Sequence, residues 1–520
     1  MSITTRTLYF KLKSPDDSEL ILEKVLPSEW QLKALSSTRD QLDFYDTFEW
    51  NGFEKEAAII KTKKSISLVD LNTGHETASV AFSRNPSFFI LNDLPQGKLK
   101  DQLSSYSEIR AFIKLCSITT LIRSYHILDV NEKTIGVLTF TSLSPTGKNN
   151  NAPFVSLFSL IPLRGYHEEI EKAVRHKSHG SALDFKELFL LIMAASGQNV
   201  QGYSSKISLS LDADASIHES TQRLLQVTLS ILHKNEHGIK NNIDTEFLHD
   251  YRVAVRRTRS ILKQLKGVYD PIETAFYLNA FKEIGKQTNQ LRDSDVYLLK
   301  QQTYFHYLPP FLQQSLKPFF NDIADARKKL HQQFCRYLKS CDYQTFLHKW
   351  NKFVHQESLP DSVQAPDASH STRAVAACTI KKAWKKVIRH GRQISSETTD
   401  TELHALRIDC KKLRYLLEFF SSIYPHKTIN PVIRQMKELQ ENLGDFVDFS
   451  VQLKFLHERL TSVSENEKDP LYAASMGGLM ATLFQKQEEV RRKFHKIFRS
   501  FDNDETAQQF HDLLSGSSAP

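Results

Sequence analysis

The stretch "HDYRVAVRRTR", His249 to Arg259, sets four arginines and a histidine within eleven residues. On an α-helix, residues three, four and seven apart share a face. His249, Arg252, Arg256, Arg259 and Lys263 obey that rule and predict one basic stripe. His404, Arg407, Lys411 and Arg414, in "HALRIDCKKLR", predict a second. Arginine's planar fork offers a phosphate two parallel hydrogen bonds, and lysine offers a point charge. Successive turns rise about 5–6 Å, which suits an extended, repeating anion better than a single phosphate. A merely solvated helix mixes signs through Glu and Lys pairs, whereas these stripes carry almost no compensating acid. Like charges at i and i+4 cost a few tenths of a kcal/mol per pair on an isolated helix, so a bound anion is the expected relief. The two histidines, near the helix starts, are expected to cap, pack or touch the ligand.

Two further clusters fit either a plain surface helix or an extension of the same site. "IKKAWKKVIRHGR" places Lys382, Lys386 and Arg389 on one face, and "VRRKFHKIFRS" does so for Arg492, Lys496 and Arg499.

These residues need long helices to carry them, and the chain concentrates helical patterns in its second half. Up to about residue 165, short β-branched and aromatic runs such as "LDFYDTFEW" and "TIGVLTFTSL" alternate with turn signals such as "SPTGKNNN". Helices are expected near 98–117 and 166–176, giving an α+β domain built on an antiparallel sheet. From about residue 216 the apolar spacing is helical, with prolines mostly at breaks. The Gly, Ser and Asn of "SGQNVQGYSS" (196–205) are expected to mark the boundary, and a loop at 357–372 to split the helical half in two. "LHDYRVAVRRTRSILKQL" and "LHALRIDCKKLRYLLEFF" are each followed by a second matching pair, "NQLRDSDVYLL" around Asp293 and "ENLGDFVDFSVQL" around Asp448. Asp293 lies 44 residues after His249, and Asp448 lies 44 after His404. The shared spacing implies an internal duplication of a helical bundle.

Composition narrows the class less than this pattern does. The 520 residues imply two or three domains, and a formal charge of +8 is too small to name a polyanionic partner. Five scattered cysteines without a CxxC pair point to reduced thiols in a cytosol, and to neither disulfides nor a cysteine zinc site. "MSITTRTLYFKLKSPDD" has no apolar segment after its basic residues, so no secretory signal is expected. No apolar run approaches the ~18 residues that span a bilayer, and no membrane role is expected.

At "HDYRVAVRRTRS", "LRDSDVYLL", "HALRIDCKKLRYLLEFF" and "KELQENLG", residues 215–505 resemble the CHAD family, the conserved histidine α-helical domain. The resemblance implies two pseudo-symmetric helical bundles, about 215–356 and 373–505, whose basic faces meet across a groove or pore. It also implies binding of inorganic polyphosphate without catalysis. Matched by motif position, the basic residues are His249, Arg252, Arg256, Arg257 and Arg259 in the first copy, and His404, Arg407, Lys411, Lys412 and Arg414 in the second.

Residues 1–178 resemble a CYTH domain, the triphosphate tunnel fold, through "LDFYDTFEW", "AAIIKTKKSISL", "IRAFIKLCSITTLIRSYHI" and "LIPLRGYHEEIEKAV". Where that family opens on an ExExK strand, this chain reads "LYFKLKS", with Lys11 and Lys13 and no glutamate. The later strand "GVLTFTSL" lacks acids too. Such enzymes hold Mg²⁺ or Mn²⁺ against a triphosphate through acidic side chains, because hard cations need oxygen ligands. Lys61, Lys63 and Arg123 keep a basic character. This half is therefore expected to be a degenerate, non-catalytic tunnel with no metal ligands. Residues 179–214 are expected to be a linker, and 506–520 a tail.

The expected function is cytoplasmic polyphosphate binding, with other phosphate-rich anions as alternatives, no cofactor, and an association with polyphosphate granules. One rival is a metal-dependent triphosphatase or polyphosphatase using Asp43, Asp46, Glu49 and Glu54, whose spacing does not rebuild the missing strand. The other is a nucleic-acid binder, but the stripes lack base-stacking aromatics and groove-reading amides.

Overall fold

β-Branched and aromatic runs in the first half form a strongly antiparallel structure, and the chain divides after Ser204. The computed structural model describes residues 8–11, 27, 29–146, 154–170, 182–356, 363–395, 397–462 and 469–515. Lys13 and the side chain of Lys11 lie outside the described residues.

The first unit runs β1 (Leu8–Lys11), β2 (Gln31–Asp46), α1 (Asn51–Glu54), β3 (Ala57–Lys61), β4 (Ser65–Asp70), β5 (Glu76–Ala81), β6 (Phe88–Phe89), α2 (Lys98–Ser104), β7 (Phe112–Leu128), β8 (Thr134–Pro145), β9 (Val155–Pro162), β10 (Ala182–Leu183) and α3 (Phe185–Ala195). The strands form one sheet in the order β10-β1-β9-β8-β7-β2-β3-β4-β5, with β6 also on β7. Its spine is the pairing of β2 with β7, from Gln31 opposite Leu128 to Asp46 opposite Ile113, with register shifts between Ala34 and Ser36 and between Phe44 and Tyr45.

Two sequence expectations change here, and a third falls partly outside the described residues. The helix expected near 98–117 is only α2, and the β-branched residues from Phe112 onward enter β7 instead. Of the helix expected at 166–176, residues 171–176 lie outside the described residues. The segment 179–214 is no plain linker: it holds β10 and α3, which Asp184 caps by accepting from the Glu187 amide at 2.7 Å. Leu188, Phe189, Ile192 and Met193 of α3 pack with Phe44, Ile118 and Leu157 of the sheet. The Gly- and Ser-rich stretch marks the end of this helix and the real unit boundary.

The second unit is helical: α4 (Ile217–Lys240), α5 (Thr245–Gln264), α6 (Pro271–Gln287), α7 (Asn289–Leu299), α8 (Gln301–His306), α9 (Pro310–Gln313), α10 (Lys317–Lys339), α11 (Cys341–Val354), α12 (Thr372–Gly391), α13 (Asp400–Phe419), α14 (His426–Ser462), α15 (Pro470–Phe501) and α16 (Asp504–Ser515). The starts of α4, α5 and α6 at 217, 245 and 271 recur as those of α12, α13 and α14 at 372, 400 and 426, each 155 residues on. An isolated antiparallel bridge joins Ser216 to Ser371, residues also 155 apart, at the mouths of α4 and α12. The halves are not separate bodies. Tyr304, Phe319 and Phe320 share one apolar cluster with Leu456, Met476 and Leu479, and 205–520 form a single unit. Nor is 506–520 a mere tail, since α16 covers 504–515 and buries Phe510 and Leu513.

Close packing of the second half is visible at Gly391, where α12 meets α15. A Cβ there would lie 2.0 Å from a ring carbon of Phe498. Gly391→Ala is expected to destabilise the helical unit by about 1–3 kcal/mol through overpacking, measured as a lower urea midpoint with an unchanged slope.

Candidate functional site

The stripe on α5 exists because the opposite side of that helix is fixed. Asp244 caps α5 by accepting from the amides of Glu246 at 2.9 Å and Phe247 at 3.3 Å. Tyr251 is fully buried and shares a hydrogen bond with Tyr343 at 2.9 Å, and Tyr343 donates to Glu236 at 2.7 Å. One face-repeat further on, Thr258 donates to Thr228 at 2.9 Å. These contacts hold the helix rotation, so Arg252, Arg256, Arg259 and Lys263 share the other side. On α13, Thr399 and Glu402 form a capping box, and Leu406, Cys410, Leu413 and Leu417 are buried. Since the caps are Asp244 and Thr399, neither His249 nor His404 caps its helix.

α5 and α13 pack against each other and bring the two stripes together. Arg256 and Lys411, 155 residues apart, lie close enough for the charge of Arg256 to act on Lys411. Burial and the cations Arg407, Arg256 and Arg414 push the Lys411 ammonium down to about 8, against some relief from Asp448. His404 is depressed by burial, and by Arg407 and Lys411, which leaves it neutral at pH 7. Arg252 is pushed down to about 10 by burial and by Arg256 and Arg292, with Asp293 and Asp295 opposing. It stays a cation at neutral pH.

The other cations fall into two groups. Arg252 donates to the Gly285 carbonyl at 3.1 Å, to the Thr288 hydroxyl and to the Asn289 side chain at 2.9 Å. Arg407 pairs with Asp448 at 3.0 Å. Arg414 donates to Glu418 at 2.6 Å and to Gln440 at 3.2 Å. Both Arg252 and Arg407 retain a buried Nε with no acceptor, as does Arg257. By contrast, Arg256, Arg259, Lys263 and Lys411 make no hydrogen bond or ion pair among the described residues.

Those four surround a cleft of about 860 Å³ between α5, α6 and α13. Lys266, Lys282 and Lys412 also line it, and no carboxylate does. Sequence reading missed Lys266 and Lys282, whose spacing carries no stripe signal. It also missed two acids: Asp293 and Asp448, read only as repeat markers, interact with each other and with Arg252 and Arg407 beside the stripes. Nearly acid-free in sequence, the stripes thus receive carboxylates from α7 and α14.

Several expected site residues stand elsewhere. Arg257 is one residue from Arg256, about 100° around the helix; it donates to the Ser205 carbonyl and lies 3.8 Å from Glu418. Lys386 and Lys412 pair with the buried Asp409 at 2.9 Å and 3.1 Å, and His390 approaches it at 3.3 Å. Burial opposes ionisation of Asp409, but hydrogen bonds from Lys386, Lys412 and His390 prevail and lower it. Asp409 is two residues from both Arg407 and Lys411, so Lys386 is drawn to the far side of α13 from the stripe. Lys382 and Arg389 are exposed on α12. On α15, Arg492, Lys496 and Arg499 are exposed too, and Arg492 donates to the Glu488 carbonyl at 3.3 Å. Lys382, Lys386, Arg389, Arg492, Lys496 and Arg499 do not line the cleft, whereas Lys412 does, already paired with Asp409.

In the first unit the candidate acids have structural partners. Asp43 accepts from Ser117 at 2.5 Å, Gln41 at 3.0 Å and Lys114 at 3.3 Å. Asp46 accepts from the amides of Thr47, Gly52 and Phe53 at 2.7–2.9 Å, and burial nevertheless lifts it to about 6. Glu49 pairs with Arg110, and Glu54 is exposed. Among the described residues, no group of three or more His, Cys, Asp or Glu side chains is placed to hold a metal ion. Lys61 is buried and donates to the Thr62 carbonyl at 2.9 Å, whereas Lys63 and Arg123 are exposed. These three cations do not converge.

Residues 223–457 match the CHAD domain family, so the chain carries a CHAD domain there. Among solved structures, it is similar to the crystal structure of the CHAD domain from the plant Ricinus communis, at 22% identity over 60% of this chain and 96% of that one, with a TM-score of 0.46. It is also similar to PptA from Streptomyces chartreusis, at 13% identity over 55% of this chain and 100% of that one, with a TM-score of 0.44. No curated protein matches the chain. Among the described residues no helix is long and apolar enough to cross a membrane.

Lys411 gives this site a measurable energetic signature. Below pH 8 the folded protein holds the ammonium at a cost, and between about 8 and the ordinary lysine value near 10.5 only the unfolded chain keeps the proton. Lys411→Met is therefore expected to stabilise the protein at pH 7 by roughly 1 kcal/mol, after allowing for solvent screening. The gain should fade as pH rises through 8 towards 10.5. Thermal unfolding of both proteins across that range measures it, and a gain that does not depend on pH would count against a charged origin.

Proposed function

We propose that the helical unit binds inorganic polyphosphate along the joined faces of α5 and α13, without catalysis. The observation that carries this is the cleft at which Arg256, Arg259 and Lys263 meet Lys411 with no carboxylate in its lining. Such an arrangement costs folding energy when empty and is relieved by a polyanion, which also returns Lys411 to full charge. Arg252, Arg407 and Arg414 extend the basic surface along the helices, although each must share its charge with protein acceptors.

In this proposal the two copies are related by a local two-fold axis. Three like-numbered pairs support it: Ser216 bridges Ser371, Arg256 acts on Lys411, and Asp293 acts on Asp448, each pair 155 residues apart. The first unit is proposed to be a degenerate CYTH-like domain that serves as scaffold or partner surface. The proposed setting is the cytoplasm, in contact with polyphosphate granules.

Binding of long-chain polyphosphate tests the proposal on wild type and on an Arg252→Ala, Arg256→Ala, Arg407→Ala and Lys411→Ala combination. The combined variant is expected to bind at least about 100-fold more weakly, and wild-type affinity to fall steeply with salt. Equal binding by the two proteins would sink the proposal. RNA is expected to compete weakly, because the stripes carry no groove-reading amides and no run of aromatics on which successive bases could stack. Incubation of tripolyphosphate with Mg²⁺ or Mn²⁺ is expected to release no phosphate; metal-dependent turnover would favour the triphosphatase instead.

A further inference from the structure

A bare phosphate chain leaves half of the cleft unexplained. Beneath its cations the wall is apolar, formed by Leu262, Leu265, Ala275, Leu278 and Ile408, and two tyrosines stand in it. Tyr415 is partly open. Tyr269 is 7% exposed, and its hydroxyl is buried with no hydrogen-bond partner. Leaving a buried hydroxyl unsatisfied costs about 1–3 kcal/mol, and inorganic phosphate has no apolar body to cover the surrounding carbons. Ile408, on the same wall, is a large aliphatic side chain 41% exposed. The volume, about 860 Å³, lies within the range of small-molecule sites, which combine apolar walls with a few convergent polar groups.

Resting on the polyanion reading of the same surface, we infer that the cleft between α5, α6 and α13 is a site for a nucleoside polyphosphate. The phosphates take the cations Arg256, Arg259 and Lys411. The base lies against Tyr415 and the aliphatic wall, and a polar edge of the base or sugar meets the Tyr269 hydroxyl. Planar bases favour aromatic side chains because every base has a π-face. The cleft also supplies a platform set beside phosphate-binding cations. Tyr415 lies one turn after Lys411 on the same face of α13, and Tyr269 comes from the turn after α5.

ATP and inorganic tripolyphosphate separate the two contributions, because both present three linked phosphates and only one has a base. Each is titrated as a competitor of labelled long-chain polyphosphate on the full chain. ATP is expected to bind roughly tenfold more tightly than tripolyphosphate, an advantage of the size measured for base stacking. Tyr415→Ala should remove that advantage and leave tripolyphosphate unchanged. Tyr269→Phe, which deletes only the hydroxyl, should lower ATP affinity severalfold with no effect on tripolyphosphate. If tripolyphosphate competes and ATP does so no better, or if both variants bind ATP as wild type does, the nucleotide inference is overturned and polyanion binding stands. If labelled polyphosphate itself does not bind, both fall.

Discussion

The arrangement of the helical unit turns on an unfavourable contact: Arg256 on α5 and Lys411 on α13 stand near each other with no acid between them. Hydrophobic burial on the far sides of both helices, with Tyr251 and Thr258 locking α5, outweighs this repulsion. The depressed Lys411 ammonium records the cost. Under the proposed function this strain, held by a well-packed scaffold, preorganises the cations, which then need no rearrangement on binding an anion.

Charge elsewhere on these helices is handled differently. Asp409 gathers Lys386, Lys412 and His390 on the outer side of α13, while Asp448 takes Arg407 near one end of the inner side. Acids thus pair with Arg407, Arg414 and Lys386 away from the cleft, and with Lys412 at its edge. The cleft gathers Arg256, Arg259, Lys263 and Lys411 without a carboxylate, and under the proposed function such a cluster would steer an approaching polyanion.

Legibility in the sequence followed the range of the interactions. The stripes were visible because a helix face is set by residues three and four apart, and the duplication because its two markers keep a common spacing. Arg256 and Arg257 differ by one position, yet only the first faces the cleft; motif matching could not separate them, although the helical angle does. The partners of Lys386, Arg407 and Arg414 could not be read, because they arrive from other elements or depend on side-chain direction. In the first half, the alternating runs foretold an antiparallel sheet. The helix after β10 was hidden by the Gly- and Ser-rich stretch that follows it, and α16 by its polar residues around Phe510 and Leu513. The resemblance to a tunnel fold rests on least, since "LYFKLKS" carries no glutamate where that family has its ExExK strand.

The bridge between Ser216 and Ser371 has an evolutionary consequence. On the proposed two-fold, which would bring the Ser216 and Ser371 counterparts together, a self-associating half-length chain would change both sides with every substitution. Fusion into one chain releases that constraint, and the differences are already present: Lys263 corresponds to Glu418, and Ala254 to Asp409, each 155 residues on. One copy could thereby acquire an acid that pairs with Arg257 and Arg414, while its counterpart kept a cation at the cleft. Such differences give the proposed polyanion site two distinguishable ends, and with them a direction.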